Sequence, residues 1–208
     1  MTGLPDDDVI HVLRRMETTL RKTAAVGHRL VVEVMERSIP GNLDCRSITD
    51  FLTQTLRISG ADATRRVRGA TKVGTWHTPT GVDLDPVLPE SARAVRDGDI
   101  GPDHVAAIAT ILREIPHNTP IERIEVAEAI LATAARSATP EDVTTLGLHL
   151  LAHLNPDGDG PDERDRRRRR GLRTGKQDSD LMTPISGLID PRHGHCSIRS
   201  SPHTPDPA

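Results

Sequence analysis

Aromatic residues are almost missing from this sequence, which has one Trp, one Phe and no Tyr among 208 residues. Modules that bind single-stranded nucleic acid usually stack bases on exposed aromatic rings, so this class of protein is disfavoured. Cysteine is also scarce, and Cys45 and Cys196 lie far apart with neither in a CxxC pair. A disulfide framework and a structural zinc site are therefore not expected.

Long apolar segments are lacking too. No run of apolar residues approaches the length of a transmembrane span. The N-terminal stretch MTGLPDDDVI is acidic and has no apolar core, unlike a secretory signal. We therefore expect a reduced, cytoplasmic protein that has no membrane partner.

Positive charge is present in one concentrated segment, although the net charge of the chain is −3. The stretch DERDRRRRRGLRTGKQ begins at residue 162, and residues 164–176 contain a single acid, Asp165. We call residues 164–176 the basic segment. Its basic residues are Arg164, Arg166, Arg167, Arg168, Arg169, Arg170, Arg173 and Lys176. Because the chain as a whole is acidic, any contact with a polyanion has to come from such a local patch.

The spacing of apolar residues predicts a series of helices. They are expected over residues 6–37, 48–57, 59–73, 89–95, 102–115, 119–137 and 139–154, and residues 74–88 have the composition of a loop. Ser47, Ser59, Thr119 and Thr139 are the expected N-caps, and the last two begin Thr-Pro-x-acid capping boxes. Gly27 is a point where the first helix bends or splits, and Pro40-Gly41 is expected to end it.

These features predict a mainly α fold: a multi-helix bundle with a small C-terminal β-hairpin and a disordered tail. The bundle is expected over residues 1–155. Residues 156–190 form an acidic-basic linker and the hairpin, in which Pro184 restricts the second strand to an edge. Residues 191–208 hold four prolines and few apolar residues, which is typical of disorder.

Three segments, in this order and spacing, resemble the actinobacterial 13E12-repeat family, also called domain of unknown function 222. They are SITDFLTQTLRISGADATRRVRGA at 47–70, TGVDLDPVLPESARAVRDGDIGPDHVAAI at 80–108, and LNPDGDGPDERDRRRRRGL with MTPISGLIDP within 154–191. In that family the helical region normally precedes an HNH nuclease module and is linked with repeated or mobile DNA. The resemblance therefore implies a DNA-associated role.

The sequence departs from the family pattern after GLIDP, where an Ala- and Leu-rich helix and then the nuclease normally follow. Here RHGHCSIRSSPHTPDPA follows instead. We expect a frameshift or a premature end of the gene, a loss of catalysis, and poor cover for the apolar side of the hairpin (Leu181, Ile185, Leu188 and Ile189). The other reading frames of the coding DNA test this hypothesis.

No catalytic centre, cofactor or metal site is predicted from the remaining residues. His149 and His153 are one helical turn apart, but no third ligand is apparent, and two ligands cannot close a site. His193, His195 and Cys196 fall in the aberrant tail, and His117-Asn118 is only a helix-terminal dipeptide. No nucleophile elbow or phosphate-binding glycine loop is present.

The basic segment is the main candidate site, since guanidinium groups fork onto phosphate oxygens and release counterions from DNA. Binding to the phosphate backbone would be non-specific. A cluster of Arg65, Arg66, Arg68 and Lys72 on the third helix would extend it, unless it is an ordinary exposed helix face. The alternatives are a scaffold that docks a partner or a second copy of the chain, and an inert remnant of a degenerate gene.

Overall fold

The computed structural model describes residues 3, 5–116, 118–154, 170–177 and 179–189. The chain divides into two units, residues 1–156 and 157–208, and each is described by itself. Within the described residues the first unit holds eight helices, and the second holds a two-stranded antiparallel hairpin. The mainly α fold with a C-terminal hairpin is therefore confirmed. The predicted tail over 191–208 lies outside the described residues.

The helices follow the predicted order closely. Helix α1 spans Asp6–Glu36, α2 Ile39–Asn42, α3 Ile48–Leu56, α4 Gly60–Val73, α5 Pro89–Asp97, α6 Pro102–Glu114, α7 Ile121–Ala135 and α8 Pro140–Leu154. Among these, no helix is both long and apolar enough to cross a bilayer. The strands are β1 Trp76–His77, β2 Asp83–Leu84, β3 Gly171–Thr174 and β4 Ile185–Leu188.

Three of the four predicted N-caps are confirmed. The hydroxyls of Ser47 and Ser59 accept bonds from the third backbone N–H of their helices, at 3.1 Å each. At α8, Thr139 and Asp142 bond reciprocally, as a capping box requires. The prediction for Thr119 is wrong, because Pro120 is the N-cap of α7 and no side chain caps it.

The first helix ends within one residue of its predicted bound, but Pro40-Gly41 does not end it. Helix α1 stops at Glu36, and Ser38 adopts a left-handed conformation that turns the chain. Pro40 and Gly41 lie beyond this turn, inside the separate helix α2. Gly27 does not split α1, which is a continuous helix through that position.

Residues 74–88, predicted as a loop, contain a short antiparallel pairing. Trp76 lies opposite Leu84 and His77 opposite Asp83. Trp76 packs against the buried cluster formed by α1, α3 and α4. A pairing of two residues per strand is too short for period-two alternation to reveal.

Two apolar clusters make up the core of the first unit. The larger joins α5, α6, α7 and α8, with Ile108 and Leu131 fully buried. The smaller joins the second half of α1 to α3 and α4, around Val32, Leu52 and Ala63. Helix α6 therefore lies at the centre of one cluster, and α1 contributes to the other with only part of its length.

The apolar residues of two helices are not all buried. In α8 Val143 is buried but Leu146 is exposed, and the residue that faces Ile111 of α6 is Gly147. A Cβ at Gly147 would lie 2.5 Å from Ile111 Cγ1, so the helices approach each other across a missing side chain. In α1 the apolar positions were expected to be core, yet Leu13, Met16 and Leu20 are each 56% exposed.

Candidate nucleic-acid interface

The structure describes only part of the predicted basic segment. Arg170, Arg173 and Lys176 are described, and Arg164 and Arg166, Arg167, Arg168 and Arg169 lie outside the described residues. Arg170 is half-buried immediately before β3, whereas Arg173 within the strand and Lys176 beyond it are exposed. The structure therefore assigns a backbone position to three of the eight predicted phosphate-contacting residues.

The hairpin fixes how Arg173 is presented. In the antiparallel register Arg173 lies opposite Ser186, and Thr174 lies opposite Ile185. The Gly175 N–H donates to the Pro184 carbonyl at 2.7 Å, which extends the pairing beyond the strand. Opposed residues share a face of a two-stranded ladder, so Arg173 and the Ser186 hydroxyl are on one side of the hairpin.

Close approach of the two strands depends on a glycine at position 187. A Cβ there would lie 2.0 Å from the Gly171 carbonyl oxygen and 2.9 Å from Leu172 Cα. No side chain fits at such distances. Gly187 therefore keeps the backbone of β3 against β4 at the start of the strand that carries Arg173.

Apolar side chains of the hairpin are exposed as expected. Leu181, Ile185, Leu188 and Ile189, named above as poorly covered, are all exposed, and Leu181 reaches 75%. Leu172 and Met182 are exposed as well. A two-stranded hairpin in water is marginally stable, so an uncovered apolar surface of this kind makes a binding partner favourable.

The second basic cluster, on α4, is partly neutralised by its own helix. Arg65 and Arg66 both donate to the Asp62 carboxylate, at 2.7 and 2.9 Å. These bonds lower the pKa of Asp62 and raise the pKa of Arg65. Arg68 and Lys72 are exposed on the same helix. Because Asp62 engages two of the four cations, this helix offers less positive charge than its sequence indicates.

Two buried ionisable side chains of the first unit, Glu128 and His104, form hydrogen bonds that hold neighbouring segments together. The Glu128 carboxylate of α7 accepts bonds from the Ser91 N–H and the Ser91 hydroxyl, both at 2.6 Å, and from the Glu90 N–H at 3.2 Å. Helix α5 has no cap of its own, so Glu128 satisfies its free N–H groups from a neighbouring helix. The His104 ring similarly bridges the Gly101 N–H and the Ala138 carbonyl.

The histidine pair of α8 does not form part of a larger cluster. His149 and His153 are both exposed. In the part of the chain that the structure describes, no group of three or more His, Cys, Asp or Glu side chains is placed to hold a metal ion. His117, His193, His195 and Cys196 lie outside the described residues.

The sequence analysis did not identify one surface, the exposed apolar side of α1. All residues from 6 to 17 are exposed, although the segment carries Val9, Leu13 and Met16. Its spacing could have indicated this surface. Val9, Leu13, Met16 and Leu20 are separated by four, three and four positions. That spacing is typical of a helix-pairing seam and differs from the broader stripe of a core helix.

The comparisons with known proteins agree with the resemblance found in the sequence. The family model described as domain of unknown function (DUF222) matches residues 10–196. The chain belongs to the DUF222 family. No solved structure matches the chain significantly.

Curated relatives of this DUF222 chain come from mycobacteria. An uncharacterized protein of Mycobacterium tuberculosis strain CDC 1551 / Oshkosh is 38% identical over 189 residues, which cover 91% of this chain and 44% of the relative. A second from the same strain is 35% identical over 191 residues, covering 90% and 42%. An uncharacterized protein of Mycobacterium bovis is 32% identical over 189 residues, covering 91% and 41%. The chain thus spans less than half the length of these relatives.

Proposed function

We propose that this DUF222 chain is a non-catalytic helical domain that holds duplex DNA through the phosphate contacts of its basic segment. The observation that carries the proposal is the charge of residues 164–176, which contain eight Lys or Arg and one acid. The exposure of Arg173 and Lys176, on and beside β3, supports it. The domain would act beside an HNH-type nuclease module, as the family resemblance implies.

The chemistry of the segment suits a phosphate backbone better than a base edge. Arginine stays charged at every physiological pH and donates from a planar fork that matches two phosphate oxygens. Hydroxyls such as that of Ser186, on the same face as Arg173, are common additional phosphate donors. Recognition by charge alone carries no sequence information, so two unrelated duplexes should bind equally well.

The first unit would support the basic segment and would itself make few contacts with DNA. Its buried Glu128 and His104 are engaged in capping and bridging bonds, and Arg65 and Arg66 are paired with Asp62. The basic segment begins at Arg164, beyond the acidic linker that follows α8. We therefore assign the DNA contacts to the basic segment and not to the helical bundle.

A salt titration of duplex binding tests this function. The logarithm of the binding constant should fall linearly with the logarithm of salt concentration, by about 0.9 for each phosphate contacted. Replacing Arg166, Arg167, Arg168, Arg169 and Arg170 by Gln should reduce that slope by about 4 to 5. The smaller variant Arg173→Gln/Lys176→Gln should reduce it by about 2.

A matched control removes equal charge from the bundle. Its five arginines are exposed in the first unit: Arg46, Arg93, Arg96, Arg113 and Arg123. Replacing these by Gln should leave the slope nearly unchanged. The proposal fails if the control variant loses as much slope as the basic-segment variant, or if the native chain binds DNA with affinity indifferent to salt.

A further inference from the structure

A short arm lies between α4 and α5, and we define it as residues 77–87. Apart from Thr78 and Pro86, which are half-buried, every residue of the arm is exposed. Its turn is closed by two bonds of 2.8 Å, from the Thr78 N–H to the Val82 carbonyl and from the Gly81 N–H to the Thr78 carbonyl. The arm therefore keeps its shape through its own bonds and contributes little to the core.

The two ends of the arm adjoin packed residues. Trp76, which directly precedes the arm, packs against the cluster of α1, α3 and α4. Leu88, which directly follows it, is 5% exposed, and its N–H donates to the Lys72 carbonyl at 3.0 Å. Among the described residues, the hydrogen bonds that join the arm itself to a helix all come from His77. The position of the arm against α1 therefore depends on His77.

His77 lies between two carboxylates. Its backbone N–H donates to Glu36 Oε1 at 2.6 Å, and its ring Nδ1 lies 2.8 Å from Glu36 Oε2. On the other side of the ring, Nε2 lies 3.4 Å from Oδ1 of Asp83, the residue opposite His77 in the pairing of β1 with β2. Each ring nitrogen therefore faces an anionic oxygen, one from α1 and one from the arm.

The charge of the ring decides whether this arrangement is favourable. An imidazolium donates from both nitrogens, whereas a neutral imidazole donates from one nitrogen and presents a lone pair at the other. A neutral His77 would therefore turn a lone pair toward the carboxylate of either Glu36 or Asp83. Only the charged ring satisfies both carboxylates at once.

The charged groups around His77 favour the same state. Glu36 and Glu33 act on the ring from α1, and Asp83 acts on it from β2. Arg37 is bonded to Glu33 and so offsets part of its charge. The hydrogen bond to Glu36 raises the pKa of His77 most, and burial opposes it in part. The attraction is therefore complete below pH 6.5 and is lost as the pH rises through the raised folded-state pKa.

We propose that His77 is a latch that holds the arm against Glu36 of α1 when its ring is charged and releases the arm when its ring is neutral. On release the arm moves at its two ends, next to Trp76 and Leu88, while its own turn stays closed. Because the arm buries few side chains, the helices remain folded. The latch thus makes the position of the connection between α4 and α5 depend on pH.

The first test follows the His77 amide, since its N–H is donated to Glu36 and reports release directly. Its protection from solvent exchange is measured by NMR between about pH 6 and pH 9 and corrected for the intrinsic rate at each pH. Solvent screens a partly exposed pair, so protection should fall by about 2- to 5-fold as the ring loses its proton. A constant protection over this range would overturn the proposal.

The Gly81 amide is an internal control, because it donates within the arm. Its protection should stay constant while that of His77 falls. An equal fall at Gly81 would show that the arm unfolds as a whole, and it would overturn the latch as described.

Substitutions assign the effect to the ring and its partners. In His77→Gln and in Glu36→Gln, protection of the amide at position 77 should be low at every pH, with no transition above pH 6.5. Asp83→Asn should move the transition to lower pH, because an amide group tolerates a neutral ring nitrogen better than a carboxylate does. All variants should keep the helical circular dichroism of the native chain.

The matched control is Asp85→Asn, which removes an exposed carboxylate from the same arm. Its transition should match that of the native chain. A transition that persists in His77→Gln, or an equal shift in Asp85→Asn and Asp83→Asn, would overturn the proposal.

Discussion

The two halves of α1 contain similar apolar residues and have opposite environments. From residue 28 to residue 36 the helix packs on α4 and β1, and Val32 is 1% exposed. From residue 6 to residue 17 every residue is exposed, including Leu13 and Met16. The apolar periodicity therefore predicts the helix correctly, but it does not show which apolar residues are buried in the bundle and which are exposed.

The largest expected effect is the difference in stability loss between truncating Val32, which is buried, and truncating Leu20, which is exposed. Val32→Ala should lower the free energy of unfolding by about 2 to 3 kcal/mol, because it removes two buried methyl groups and leaves a cavity. Leu20→Ala should change it by less than about 0.5 kcal/mol, since an exposed side chain loses little on truncation. Urea denaturation measures both. Equal losses at the two positions would show that Leu20 belongs to the core.

Substitutions of two glycines compare an open position in α1 with a packed position in α4. Gly27→Ala should stabilise the fold by about 0.5 to 1 kcal/mol, because a Cβ there meets nothing within 4 Å and alanine is the better helix former. Gly69→Ala in α4 should destabilise it by about 1 to 2 kcal/mol, since its Cβ would lie 2.7 Å from Nε2 of the buried His28 ring. Thermal unfolding of the two variants checks the signs. A gain in stability for Gly69→Ala would mean that α1 and α4 are less tightly packed than described here.

The sequence predicted the helical part of the fold well, because its signals are local. Ser47, Ser59 and Thr139 cap their helices through bonds to residues three positions away, a spacing visible in the sequence. The cap on α5 was not predictable, because Glu128 reaches it from another helix. The burial of Gly147 in place of Leu146 was not predictable for a similar reason, since it depends on the position of Ile111 in another helix.

The candidate site was predictable in composition and not in detail. Eight basic residues in one short segment are evident from the sequence, and the hairpin that carries Arg173 was expected from its flanking residues. The pairing of Arg65 and Arg66 with Asp62 follows from helical spacing and reduces the weight of the second cluster. The exposure of Leu13, Met16 and Leu20 was not predictable, because a heptad spacing and a core stripe share most of their positions.

A pH-dependent difference is expected from the buried side of α1. Burial lowers the pKa of His28 from its ordinary value of 6.5, so the fold favours the neutral ring. The stability that this provides is complete above pH 6.5 and is lost as the pH falls below it toward the lowered folded-state pKa. His28→Gln should therefore reduce the loss of stability on acidification, measured by denaturant unfolding on both sides of that value.

The smallest effect is expected where α1 ends. His77 Nδ1 lies 2.8 Å from the Glu36 carboxylate, and this bond raises the pKa of His77. The contribution of the pair is present below pH 6.5 and is lost as the pH rises through the raised folded-state pKa, the reverse of His28. His77 is exposed and Glu36 only half-buried, so solvent screens the pair and we expect only a slight change in slope on the alkaline side for His77→Gln. An NMR titration should show the midpoint of His77 above the ordinary value of 6.5.

Hydrogen exchange along α1 tests most directly whether its two halves differ in the way described. Amides of residues 10–17, which are all exposed, should exchange far faster than those of residues 28–36, which lie in the packed half. Uniform protection along α1 would contradict the account.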